Sequence, residues 1–176
     1  IYATVGKDYQ VDESSLTEAE LKKIEEKKKA GNYNVKQSKI AIGSGGFFGK
    51  GLLKGTQTRY DFVPEQRTDF IFCTIGEGFG FLGSIILLGL YLFMLFRIIN
   101  IAERQRSTFS RVYAYGVASV FFFHVFINIG MTLGIVPVIG IPLPFMSYGG
   151  TALITFTVLL FILIRSVSYT HLRAHE

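Results

Sequence analysis

One cysteine, no tryptophan and four prolines occur in the 176 residues. With Cys73 alone an intrachain disulfide is excluded, and its place inside an apolar run points to packing rather than redox work. The chain opens at Ile1 without a methionine, a basic n-region or a cleavage site, so no signal peptide is recognisable and the chain reads as a piece of something longer. The net charge of +5 comes without an aromatic and basic recognition module, so it is assigned to membrane loops, and nucleic acid is excluded as a partner. "SGGFFGK" lacks the signature of a phosphate-cradling loop, because Ser44 stands where its first glycine belongs and Gly51 where it needs Ser or Thr. No third ligand at suitable spacing joins His124 and Asn128, so no metal site is expected.

What is present is apolar. At 49% hydrophobic residues the chain exceeds an ordinary soluble domain, and a membrane is its natural solvent. The expected fold is all-α, a fragment of a polytopic helical membrane protein with about three transmembrane helices and a large extracytoplasmic loop. Spans are expected over 70–96, interrupted only by Glu77, over 112–135 and over 149–164, the last short for a crossing. Between the second and third, Pro137, Pro142 and Pro144 forbid a helix, so 136–148 is expected to be irregular. The loop joining the first two spans carries Arg97, Arg104, Arg106 and Arg111 against Glu103, which marks it cytoplasmic and leaves 1–67 and the proline loop outside. The membrane domain is therefore 68–165.

Within 1–67, "LTEAELKKIEEKKKAG" has helical spacing, with Thr17 and Glu20 as a capping box and Gly31 as a stop; its thin stripe of Leu16, Leu21 and Ile24 suits a solvated insertion over 16–30. The glycines at 43, 45, 46, 49, 51 and 55 suit tight turns and close approach to a neighbouring surface.

Charge crowds the threshold of the first span. Asp69 stands at its start, where Thr68 or Asp69 is an ordinary helix cap, and where a carboxylate at the water boundary is also a candidate for chemistry. Glu77 lies about two turns further, at a depth where an ionisable group must face protein or water. His124 and Asn128, one turn apart on the second span, share a face and are expected to meet Glu77 in a polar seam between helices. Upstream, Lys50, Lys54, Arg59 and Arg67 are candidates for an anionic headgroup or pyrophosphate, Arg67 foremost because a guanidinium fork matches phosphate oxygens.

"GSGGFFGKGLLKGTQTRYDFVPEQRTDFIFCTIGEGFGFLG" followed by "HVFINIGMTLGIVPVIGIPLPFMSYGGT" resembles the carboxy-terminal part of the SEDS family (shape, elongation, division and sporulation), and "KGTQ" ahead of "PEQRTDF" favours its RodA branch over FtsW. The resemblance covers about 36–164. It implies about ten spans in the whole protein, of which the last three lie here, in the bacterial cytoplasmic membrane. It implies polymerisation of lipid II into peptidoglycan during cell elongation, with a class B penicillin-binding protein as partner. The family's catalytic aspartate falls on Asp69, the glutamate of its E-x-G phrase on Glu77 and its His and Asn pair on His124 and Asn128. Arg67, with Glu65, Arg59 and Lys54, is assigned to substrate binding, and Pro144, Ser147, Tyr148, Gly149 and Gly150 to the loop motif. No cofactor is required by the residues themselves, although a divalent cation, Mg or Mn, is compatible with the leaving pyrophosphate. Two features depart from the pattern: Arg67 stands where the family usually has His, and the lysine-rich insertion is not part of the common core. The closing "SVSYTHLRAHE", 166–176, resembles no tail of the family and is set aside as an artefact of cloning or assembly.

Two other functions fit the same residues. A lipid II transporter would use the seam of Glu77, His124 and Asn128 as its path, and a non-catalytic scaffold would need only the loop before the first span. Three spans are expected to be inactive alone, since the family builds its cavity from helices outside this segment.

Overall fold

The computed structural model describes residues 18–51, 54–60, 62 and 67–172. Its helices are α1 (Glu18–Ser44), α2 (Thr56–Arg59), α3 (Ile71–Glu103), α4 (Thr108–Thr132) and α5 (Gly150–Leu172), and no strand occurs among the described residues. Three of these are long and apolar enough to cross a membrane: Ile71–Glu103, Thr108–Thr132 and Gly150–Val167. The chain is a fragment of a polytopic helical membrane protein.

α3 and α4 run antiparallel and pack along their length, with α5 against the same seam. Leu95, Ile98 and Ala102 of α3, Ala114, Val117, Ala118 and Phe121 of α4, and Phe156 and Leu163 of α5 form one buried cluster. The small residues at 102, 114 and 118 let the backbones approach, which is how helices associate where lipid removes the hydrophobic drive. Outward, α3 exposes Phe81, Ile86, Leu90 and Phe93, and α5 exposes Ile154 and Phe161. Large exposed apolar side chains of this kind are what a bilayer solvates.

α3 is not one rod. Gly80 sits at φ 68°, ψ −159°, a conformation open only to glycine. In a straight helix Phe72 and Tyr91 would stand roughly 28 Å apart along the axis. Instead they share a buried cluster with Val125, Ile129 and Leu143, so the segment 71–79 folds back over the longer part, 81–103.

A broken helix leaves carbonyls and amides unpaired, and these must be satisfied inside the protein. The glycine-rich loop after α1 does this with backbone alone. The amides of Lys50 and Gly51 donate to the carbonyls of Glu77 and Gly78, and the carbonyls of Gly46 and Phe47 accept from the amides of Phe81 and Leu82, all between 2.9 and 3.1 Å. Such pairing demands contact between main chains. A Cβ on Gly45 would lie 2.0 Å from the Gly76 carbonyl oxygen, and one on Gly49 2.2 Å from that of Gly78.

α1 differs from its expectation. It does not stop at Gly31 but continues to Ser44, because Val35, Ser38 and Ala41, one turn apart, dock against the bundle and are buried. Ser38 Oγ bonds the Thr132 carbonyl at the end of α4, 2.6 Å away. This burial outweighs the cost of about 1 kcal/mol for a mid-helix glycine. The expected capping residue Thr17 lies outside the described residues. Other bounds shift too: α3 runs on past Arg97 to Glu103, burying Ile98 and Ala102, and α4 occupies 108–132 rather than 112–135. α5 extends past 164 into the segment set aside as a foreign tail. There Ser166 Oγ bonds Ser110 Oγ at 2.7 Å and Val167 packs on the core, so residues 166 and 167 belong to the fold.

Candidate functional site

Because 71–79 folds back, Asp69 is not at the outer tip of the long span. It lies beside Asn128, one turn before the end of α4. Neither Thr68 nor Asp69 takes the N-cap position of α3; that position falls on Phe70, which has no side-chain cap bond. Residues 67–70 form a turn, and what orders it comes from elsewhere. The carbonyl of Arg67 accepts the Tyr148 amide at 2.8 Å. That of Thr68 accepts Ser147 Oγ at 2.5 Å, and that of Asp69 accepts Asn128 Nδ2 at 2.8 Å.

The irregular stretch after α4 supplies most of these partners. The Leu143 amide donates to Ser147 Oγ at 2.7 Å, Tyr91 donates its hydroxyl to the Pro144 carbonyl at 2.6 Å, and Asn128 Nδ2 also donates to the Ile141 carbonyl at 2.8 Å. Phe145, at φ 60°, turns its ring onto Phe121 and Phe156. The loop motif therefore wedges between α4 and α5 while its polar groups hold the Asp69 turn. Ser147 and Pro144 are buried, Tyr148 is exposed, and Gly150 opens α5. Gly140, at φ 78°, passes beneath the carboxylate, and a Cβ there would stand 3.1 Å from Asp69 Oδ2.

Glu77 belongs to a second, separate cluster. Its carboxylate is fully buried, and Oε1 accepts from the Gln57 amide (3.0 Å), Ser44 Oγ (3.3 Å), Thr56 Oγ1 (3.4 Å) and Lys50 Nζ (3.3 Å). The expected seam of Glu77, His124 and Asn128 does not form. His124 Nδ1 lies 2.8 Å from the Val120 carbonyl, and its ring meets Phe156 edge-on, so it serves the α4–α5 contact. The fold-back explains the separation, since it points Glu77 at the glycine loop rather than at α4.

Of the cations assigned to anion binding, Lys50 is instead an ion-pair partner of Glu77. Lys54 and Arg67 are exposed, Arg67 in the Asp69 turn and Lys54 beside the glycine loop, where its amide donates to the Gly51 carbonyl. Glu65 and the Arg59 side chain lie outside the described residues. No group of three or more His, Cys, Asp or Glu residues suited to a metal occurs among the described residues. Gly140 and Tyr91 were not singled out in the sequence. A glycine between two isoleucines ahead of a proline was the available signal for the first, and a lone tyrosine in an apolar span for the second.

A family model described as a cell cycle protein, FtsW, RodA, SpoVE, matches residues 2–172. The chain belongs to the SEDS family. Within the family it is 54% identical over 122 residues to the peptidoglycan glycosyltransferase MrdB of Escherichia coli (strain K12), an alignment covering 69% of this chain and 33% of that protein. It is 47% identical over 127 residues to the peptidoglycan glycosyltransferase RodA of Treponema pallidum (strain Nichols), covering 72% and 29%. The chain thus spans about a third of the length of the curated relatives it matches. Among solved structures it resembles a chain of a peptidoglycan synthase complex whose study concerns the coordination of polymerization and crosslinking (TM-score 0.64, 29% identity, 77% of this chain and 37% of that one). It also resembles an aspartate-to-alanine mutant of the rod shape determining protein RodA from Thermus thermophilus (TM-score 0.60, 32% identity, 70% and 38%). As a C-terminal portion of a SEDS protein, the chain is part of an integral membrane protein.

Proposed function

We propose that the protein to which this segment belongs is a RodA-type peptidoglycan glycosyltransferase of the bacterial cytoplasmic membrane. It polymerises lipid II during elongation and maintenance of cell shape. The observation that carries the reading is Asp69, held in a turn whose three successive carbonyls are each bonded by another element, in a chain whose curated relatives are named for this activity.

In the proposed reaction the 4-hydroxyl oxygen of the acceptor GlcNAc attacks C1 of the donor MurNAc with inversion. The new glycosidic C–O bond forms as the bond from C1 to the pyrophosphate oxygen breaks, and undecaprenyl pyrophosphate leaves with that electron pair. Asp69 takes the hydroxyl proton. Arg67, exposed at the same turn, offers a guanidinium to the leaving pyrophosphate. A Mg or Mn ion at the pyrophosphate would add charge neutralisation, but the described residues offer no cluster of three or more ligating side chains to hold it, and no step above is routed through it. The arginine-rich loop 104–107 is proposed to face the cytoplasm, with Asp69 at the opposite, outer end. A class B penicillin-binding protein is the proposed partner, supported by the likeness to a chain of a synthase complex that couples polymerization and crosslinking.

The transporter reading needs a polar path through Glu77, His124 and Asn128, and these three occupy separate environments. The two readings part in one comparison. With full-length protein and purified lipid II, Asp69→Ala should remove glycan polymer, whereas His124→Ala should retain most of it. Transport of lipid II in vesicles that depends on 77 and 124, with polymer formation indifferent to residue 69, would favour the transporter.

A further inference from the structure

We propose that Asn128 is a positioning residue for Asp69, with Ser147 and Gly140 completing the seat; this rests on Asp69 being the base of the proposed transfer. The direction of a side chain from its backbone is set by the φ and ψ of its own residue. Fixing the carbonyl before Asp69 constrains its φ, and fixing its own carbonyl constrains its ψ. Ser147 Oγ holds the first and Asn128 Nδ2 the second.

Both holders are themselves locked. Ser147 Oγ accepts the Leu143 amide, so its single proton is left for Thr68. Asn128 has no exposed surface and spends both amide hydrogens, one on Asp69 and one on Ile141, which ties the turn to the loop as well as to α4. Its Oδ1 is buried without a partner among the described residues, so no competing donor within them draws the amide away from this arrangement. Gly140 acts on the other side. A Cβ there would stand 3.1 Å from Asp69 Oδ2, close enough that the carboxylate would have to shift by a few tenths of an ångström, and the Gly140 φ of 78° would strain any other residue. The backbone clamp fixes the direction in which the Asp69 side chain leaves the chain, and the open floor leaves room for its carboxylate.

The test uses the full-length protein in lipid nanodiscs with purified lipid II, measuring kcat and KM for polymerisation, with thermal unfolding of each variant. Asn128→Ala should lower kcat by about 10²-fold, the penalty for misplacing a reacting group by about 1 Å, and Gly140→Ala, which pushes the carboxylate by only a few tenths of an ångström, should lower it by less. KM should stay within about twofold and the proteins should remain folded. Ser147→Ala should change kcat in the same direction by less. Asp69→Asn is the control for the underlying reading: if it polymerises at the native rate, that reading fails whatever residue 128 does. If Asp69→Asn is inactive while folded Asn128→Ala and Gly140→Ala keep native kcat, or raise KM alone, the positioning role is overturned and the base survives. Should Asn128→Ala not fold, Ser147→Ala decides, and native kcat there overturns the proposal.

Discussion

A carboxylate with no exposed surface persists only if its charge is met, and at Glu77 one oxygen collects a backbone amide, two hydroxyls and an ammonium. Those partners lie 20 to 33 residues away in the chain, and the glycine loop brings them in. Periodicity could mark Glu77 as a buried polar group but could not name Lys50, whose role depends on how a loop returns to a helix. The same holds for Asn128 and Asp69, 59 residues apart: each was legible as a candidate, while the bond between them was not. Replacing Lys50 by Met should leave Glu77 buried without its countercharge. The expected cost is about 2 kcal/mol, below the roughly 3–5 of a wholly buried pair because Lys50 keeps 32% of its side chain exposed. Lys50→Met combined with Glu77→Gln should recover part of that loss in thermal unfolding of the full-length protein. Strictly additive losses would count against the pair.

Glycine carries opposite meanings in two elements. In α1, Gly31 has a helical environment with nothing within 4 Å of a Cβ, and its sequence signature as a stop was misleading because α1 is held from Val35 onward by burial rather than by caps. Gly31→Ala should leave the fold intact and raise stability by about 0.5–1 kcal/mol. In α3, Gly80 combines a positive φ with a Cβ position 2.3 Å from the Gly49 amide nitrogen. Gly80→Ala should therefore unseat the glycine loop and lower both the melting temperature and the yield of folded protein. Equal effects of the two substitutions would contradict the fold-back. The hydrophobic run from 70 onward was readable as a crossing, but a glycine break inside it leaves hydropathy unchanged and so stays invisible until the loop that caps it is in place. The proline-rich stretch after α4 was readable as irregular because Pro removes a donor and blocks the preceding turn; its grip on 67–69 was not.

For the whole molecule, composition and the three apolar runs were enough to place the chain in a membrane, and two phrases of motif sequence were enough to suggest its family. Topology follows from antiparallel α3 and α4: the arginine-rich turn and the Asp69 seat lie at opposite ends. Single cysteines introduced at Arg106 and Ile139 should label from opposite faces of the cell membrane, Ile139 from outside intact spheroplasts and Arg106 only after permeabilisation. Labelling of both from one side would remove the outward-facing site. The central claim is chemical, that the Asp69 carboxylate takes the acceptor proton. The most direct measurement is glycan polymer formed from purified lipid II by the full-length protein carrying Asp69→Asn, which keeps shape and removes the base. Loss of polymer to background, with an unchanged unfolding temperature, is the predicted result. Native amounts of polymer from that variant would contradict the account.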